Sequence, residues 1–202
     1  VAILSGDTML VHAYKLLSDV DKSIVKDVLT VFNKTATQVC EGQQLDMDFE
    51  TQSNVTLSEY IKMIEYKTAV LLAGSLQIGG ITGGANIEEQ KHLYEFGRNL
   101  GIAFQLKDDL LDAFGNSDTF GKKIGGDIIG NKKTFLYLKA LQLSDADTKK
   151  TLQSFFSEIE PSEKKVQAVI SIYQDLNITK HTIDMMKAYY IKAMKHLNAI
   201  DA

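Results

Sequence analysis

The stretch "GIAFQLKDDLLDAFG", residues 101–115, decides how the chain is read. Leu100, Ile102, Ala103, Phe104, Leu106, Leu110, Leu111, Ala113 and Phe114 leave little room for a solvated face. A helix that is apolar on nearly every side is usually a buried one. Yet Gln105, Asp108, Asp109 and Asp112 stand at i, i+3, i+4 and i+7, which stacks them in one narrow stripe. Gly101 lies one turn before Gln105 on the same side and leaves space there. Like charges four apart destabilise a helix by about 0.2–0.5 kcal/mol per pair, and burying them unpaired costs far more. The plain alternative is a solvated acidic face in a chain with 26 acidic residues, and the apolar neighbours argue against it. The stripe therefore calls for a positively charged partner.

Working outward, helical spacing dominates. Residues from Val1 to about Leu17 read as the end or middle of a helix, and Asp19 is placed to cap the next one. Ile24, Val25, Val28, Leu29, Phe32, Ala36 and Val39 carry that second helix to about Gly42. Thr56 with Glu59 forms a capping box that opens a helix through Ile61, Ile64, Val70 and Leu71. Its far end, "AGSLQIGGITGGA", is rich in small residues that permit close backbone approach, and Gly83-Gly84 break it. Asn86 with Glu89 is a second capping box, and the helix it starts runs to Phe114, about 40 Å at 1.5 Å per residue. "GNSDTFGKKIGGD", from Gly115 to Asp127, holds four glycines and is the longest loop. Helices follow near 132–143, 145–158, 163–175 and 179–199, with Ser144 and Asp147, and Ser162 after Pro161, as starts. No alternating strand pattern, linker or repeat interrupts this. The expectation is an all-α chain forming one domain over residues 1–202.

Composition narrows the class. The chain has 202 residues, enough for one sizeable core, and is 45% hydrophobic and 24% charged. A formal net charge of −4 gives no support to nucleic-acid binding. A single proline is far below the usual share of roughly 5% and points to long uninterrupted helices. Cys40, the only cysteine, excludes an internal disulfide and suits a reducing, cytoplasmic setting. No apolar run reaches transmembrane length, so stable membrane insertion is not expected.

Gly101-x-x-Phe104-Gln105-x-x-Asp108-Asp109-x-x-Asp112 resembles the second aspartate-rich motif of the trans-isoprenyl diphosphate synthases, the polyprenyl synthetase family. Four further stretches match that family in order: "AILSGD" from Ala2 to Asp7, "GQQLD" from Gly42 to Asp46, the pair Lys67-Thr68, and "GKKIGGDIIGNKKT" from Gly121 to Thr134. The resemblance implies an isoprenoid-synthase-type bundle of long antiparallel helices around a central cavity. It implies a Mg²⁺-dependent prenyltransferase that joins an allylic diphosphate to isopentenyl diphosphate, with products from geranyl to polyprenyl length. It implies that Asp108, Asp109 and Asp112 bind the metal, with Gln43 and Asp46 behind them. Lys67, Thr68 and Gln105 would contact the allylic substrate and face the carbocation. Lys122 and Lys132 would close on the diphosphate from a glycine-rich lid; "GKK" leaves Lys122 and Lys123 both open, and Lys122 is favoured because it follows Gly121. Phe104 would form a wall of the pocket, and the family's habit implies a homodimer.

The chemistry agrees with the resemblance. A departing diphosphate gathers negative charge, which hard oxygen ligands holding Mg²⁺ and fixed cations can neutralise. Alone, Lys67 reads as a snorkelling surface lysine, Gln105 as a satisfied buried amide, Lys122 and Lys132 as solvated loop lysines, and Gln43 and Asp46 as a polar helix end. The chain also departs from the family's pattern. It contains no other D-D-x-x-D, and Arg98 is its only arginine, so the family's first aspartate-rich motif and arginine pair have no match. The expectation is a C-terminal part that lacks the first N-terminal helices. Two other readings stay open: a non-catalytic partner subunit of such a synthase, and a class I terpene cyclase, against which the lysine loop argues.

Overall fold

The computed structural model describes residues 1–115, 125–158 and 162–200. Among the described residues all regular structure is helical. We number the α-helices α1 (Ala2–Ser18), α2 (Val25–Thr51), α3 (Leu57–Ile64), α4 (Val70–Thr82), α5 (Ile87–Phe114), α6 (Gly126–Ile129), α7 (Phe135–Leu143), α8 (Ala146–Phe155), α9 (Glu163–Asp175) and α10 (Ile178–Leu197); a π-helical turn, Glu65–Ala69, joins α3 to α4. No described helix is long and apolar enough to cross a membrane.

Local sequence signals account for most boundaries. The Thr56 hydroxyl accepts from the Glu59 amide while Glu59 accepts from the Thr56 amide, so two otherwise orphaned donors are satisfied at the start of α3. Asn86 and Glu89 do the same for α5. Gly83 ends α4, and the four residues before α5 turn the chain back along it. Three boundaries differ from the sequence reading. Asp19 ends α1 rather than capping α2; the turn between them is held by Asp21, which accepts from the Ser23 amide and hydroxyl. Asp145, not Ser144, caps α8 by accepting from the Thr148 amide. Helix α2 runs nine residues past Gly42, to Thr51.

That last difference positions the site. A glycine inside a helix costs roughly 1 kcal/mol relative to alanine. At Gly42 the penalty is offset by packing, because a Cβ there would collide with the backbone of Tyr66 and Lys67 in the π turn. Gly101 of α5 plays the matching part on the other side, where a Cβ would collide with Ala69. Two glycines thus clamp the π turn between α2 and α5. Helix α10 packs along α5, and α3, α7 and α9 close the lower end around a core that includes Tyr60, Leu106, Phe135, Leu136, Val169 and Tyr173. Helix α1 contains no buried residue and joins the body mainly through Tyr14, whose hydroxyl donates to Asn33 and whose ring meets Phe32 edge-on at 5.0 Å.

Candidate active site

A cavity of about 240 Å³ opens between α2, α3, the π turn, α5 and the segment Asp127–Thr134. Its lining includes Asp46, Tyr60, Lys67, Thr68, Gln105, Asp108, Asp109, Asp127, Lys132 and Lys133. Side chains from four separate stretches of sequence therefore meet in one concave space.

The π turn explains how Lys67 and Thr68 both come to line it. The Val70 amide donates to the Glu65 carbonyl five residues back, a spacing that inserts one residue into the helix. The added residue shifts the helical phase, so Lys67 and Thr68 face the cavity while Ala69 and Val70 stay in the core. Arg98 of α5 steadies the start of this turn, donating to Glu65 at 3.2 Å and to Glu95 at 2.8 Å. The only arginine of the chain is thus a brace for the π turn. Lys67 reaches across to Asp46 of α2 at 2.5 Å, their side chains 37% and 24% exposed. Asp46 therefore fixes the ammonium at the cavity wall.

The acidic stripe divides into three environments. Asp108 lines the cavity and meets Gln105 Nε2 at 3.4 Å. Asp109 is buried; it accepts from the Tyr60 hydroxyl and, at 3.1 Å, from Gln105 Nε2. Burial pushes its carboxyl up to about 7, against these two hydrogen bonds, which favour the charged form. Gln105 in turn accepts from the Thr68 hydroxyl at 3.1 Å, so Thr68, Gln105, Asp109 and Tyr60 form one continuous chain of hydrogen bonds across the cavity floor. The Tyr60 hydroxyl is driven well above its ordinary pKa, first by burial and then by the Asp109 charge. Asp112 accepts from the Asp127 amide at 2.9 Å and is raised mainly by burial. Among the described residues no three acidic, histidine or cysteine side chains converge on one point.

The segment after the acidic helix closes the far side. The Gly125 amide donates to the Asp112 carbonyl at 2.7 Å, which ties this segment to the end of α5. Lys132 pairs with Asp127 at 2.9 Å and is raised chiefly by that bond. Lys133 donates to the carbonyls of Phe49 and Glu50 at 2.5 and 3.2 Å, capping the end of α2.

Of the residues singled out in the sequence, Lys67, Thr68, Gln105, Asp108, Asp109, Asp46 and Lys132 line this cavity. Asp112 lies behind the wall, on the Asp127 amide. Gln43 is exposed and Phe104 is 62% exposed, and neither lines the cavity. Phe104 falls one position away from Gln105, about 100° around the helix, and so turns off the stripe. Lys122 and Lys123 lie outside the described residues. Sequence reasoning missed Tyr60 and Asp127. Tyr60 carries no local signal, being an apolar-face aromatic in α3; Asp127 follows Gly125-Gly126 within a stretch already singled out.

The profile of the polyprenyl synthetase family matches residues 1–173. A geranylgeranyl diphosphate synthase of Methanosarcina mazei is 44% identical over 143 residues, which is 70% of this chain and 44% of that protein. The crystal structure of a geranylgeranyl pyrophosphate synthase superposes with a TM-score of 0.93 at 43% identity, covering 98% of this chain and 62% of that one. A geranylgeranyl pyrophosphate synthase from Corynebacterium glutamicum, complexed with isoprenyl diphosphate and magnesium, superposes with a TM-score of 0.89 at 26% identity, covering 98% of this chain and 57% of that one. The chain spans about half the length of the curated relatives it matches.

Proposed function

Because the chain belongs to the polyprenyl synthetase family, we propose that it serves a Mg²⁺-dependent trans-prenyltransferase that condenses an allylic diphosphate with isopentenyl diphosphate. The observation that carries this is one cavity that sets Asp108 and Asp127 among the cations Lys67 and Lys132, with the Thr68–Gln105 pair between them. An allylic carbon–oxygen bond would break there, with its electron pair leaving on diphosphate. A carbon–carbon bond would then form to the second substrate, and a proton would be lost.

The donor set suits magnesium. The carboxylates on the wall are hard ligands, and among the described residues no cysteine or histidine lines the cavity. Magnesium is typically held by one or two carboxylates, the rest of its shell being water and substrate phosphate. Asp108 is the direct ligand we favour, because it lines the cavity and its contact with Gln105 Nε2 is long at 3.4 Å, whereas Asp109 is buried with both oxygens bonded and Asp112 lies behind the wall; these two complete the stripe behind it. When bound, the ion would supply positive charge to the leaving diphosphate.

Lys67 and Lys132 would add fixed cations on either side of that group, and charge aimed at a developing anion stabilises the transition state far more than the ground state. The Gln105 carbonyl, oriented by Thr68 and with its amide committed to Asp109, would face the allylic carbons with its dipole fixed. Asp46 would hold Lys67 in place until substrate arrives, and Lys122 would reach the diphosphate from the loop. Gln43, exposed on α2 one turn before Asp46, would act only through that helix. The working form is proposed as a cytoplasmic homodimer, with residues 1–202 forming part or all of one helical domain.

Asp108→Asn tests the reading. In the intact protein, turnover at saturating Mg²⁺ is expected to fall by orders of magnitude while helical circular dichroism is retained. Near-wild-type turnover would remove Asp108 from the metal and with it the central element of the proposal.

A further inference from the structure

Asn131 stands immediately before Lys132 with φ of 55°, in the left-handed region that asparagine enters more readily than other residues with a side chain. Backbone bonds from the Asn131 amide to the Ile128 carbonyl at 3.2 Å and from the Lys132 amide to the Asp127 carbonyl at 2.9 Å close the preceding helical turn there, and the Asn131 side chain adds a second hold. Lys165 of α9, only 2% exposed, donates from Nζ to Asn131 Oδ1 at 2.5 Å and lies 3.5 Å from the Glu158 carbonyl. Asn131 Nδ2 donates to the same Glu158 carbonyl at 2.8 Å. The Lys165 ammonium lies 5.6 Å from the centre of the Phe156 ring, which stacks on Tyr137 at 3.9 Å.

A buried ammonium is costly, and among the described residues its two hydrogen-bonding contacts are neutral oxygens. Burial accordingly lowers the Lys165 pKa, against the Glu158 charge, which raises it. An apolar side chain would fill the same space without that penalty. What the ammonium does here is hold the Asn131 side chain, whose Oδ1 it meets at 2.5 Å. The same helix grips the other end of the segment: a Cβ at Gly125, itself at φ 79°, would collide with Val166. Between these two grips, the Lys132 amide donates to the Asp127 carbonyl at 2.9 Å and its ammonium pairs with the Asp127 carboxylate at 2.9 Å.

We propose that Lys165 is a positioning residue: by fixing Asn131 in the left-handed conformation it aims Lys132 into the cavity. This rests on the reading above in so far as Lys132 contacts the diphosphate. Helix α9 then does more than fill the core, because it sets the direction of a cation one residue beyond its own contact.

The test uses two variants of the full chain. Lys165→Met keeps the apolar stem and removes the donor. Asn131→Gly tolerates the left-handed backbone and deletes both side-chain bonds, so it stands in if Lys165→Met fails to fold. Amide hydrogen exchange over residues 131–134 is read beside that of α5 and α10, and inorganic pyrophosphate with Mg²⁺ is titrated calorimetrically. Exchange over 131–134 is expected to rise about tenfold or more, as for loss of a charged hydrogen bond, with α5 and α10 unchanged. Pyrophosphate affinity is expected to fall by a similar factor. Unchanged exchange at 131–134, or a uniform rise across the chain, would overturn the proposal. So would faster exchange with undiminished pyrophosphate affinity. If the unmodified chain takes no pyrophosphate, the functional reading fails by itself, and exchange alone decides whether Lys165 holds Asn131.

Discussion

The two sides of the cavity are built by different means. On one side Lys67, Thr68, Gln105 and Asp108 project from long helices, and their aim is set by backbone packing: Gly42 and Gly101 press α2 and α5 onto the π turn. On the other side Asp127 and Lys132 belong to a short segment with one helical turn, and their aim is set by tethers. Asp112 holds the Asp127 amide, Lys165 holds Asn131, and Lys133 holds the end of α2. A packed wall resists displacement because every shift meets backbone atoms. A tethered segment moves once a few hydrogen bonds let go, which would suit the proposed entry and release of a diphosphate on that side.

The contrast can be broken first on the helical side. Lys67→Ala should lower kcat/KM by about 10²–10³, the range for losing one preorganised group aimed at developing charge. Lys67→Arg should restore only part of it, since a planar guanidinium differs in shape and hydration. Steady-state kinetics with the allylic substrate measure both, and unaltered kinetics in Lys67→Ala would reduce Lys67 to a partner of Asp46.

Gly42→Ala forces a methyl into the backbone of the π turn. Overpacking of this kind costs about 1–3 kcal/mol, visible as a lower urea midpoint. The same methyl on an exposed helical site would stabilise, so a higher midpoint would show that the clamp is loose.

Asp109 sharpens the comparison through pH. Its folded pKa, about 7, lies above the ordinary value of 3.8. Between about pH 4 and 7 the folded chain therefore holds a proton that the unfolded chain releases. In metal-free protein this contribution to stability is whole below about pH 4 and is lost as pH rises towards 7, by at most about 1.4 kcal/mol per pH unit. Asp109→Asn should flatten that part of the profile in denaturation experiments across the window. A profile identical to wild type would mean that the carboxyl is ionised throughout.

The smallest effect belongs to the tethered side. Lys133→Met removes donors from the last carbonyls of α2, and about 1 kcal/mol of stability should go with them. Thermal unfolding would register it, and the helical wall should keep its exchange protection. Loss of protection in α5 would show that the two sides are not independent.

Much of this arrangement was legible in one dimension. Apolar spacing, two capping boxes and the scarcity of proline determined the helical stretch of α3 and α4 and the long helix α5, because those signals act within a few residues of themselves. The i, i+3, i+4, i+7 stripe was likewise set by helical geometry. What only the tertiary structure decided depends on residues far apart in sequence. Gly42 reads as a helix end until the π turn is seen pressed against it. Asp109 reads as the twin of Asp108 until Tyr60, 49 residues away, takes its carboxylate into the core. Phe104 reads as buried, yet it faces outward among the described residues. Lys165 reads as a surface lysine on an amphipathic helix until Asn131, 34 residues earlier, turns left-handed to meet it. A helix fixes which residues share a face, since its hydrogen bonds are local. It does not fix what that face meets, because burial and charge pairing are settled only when distant segments close on one another.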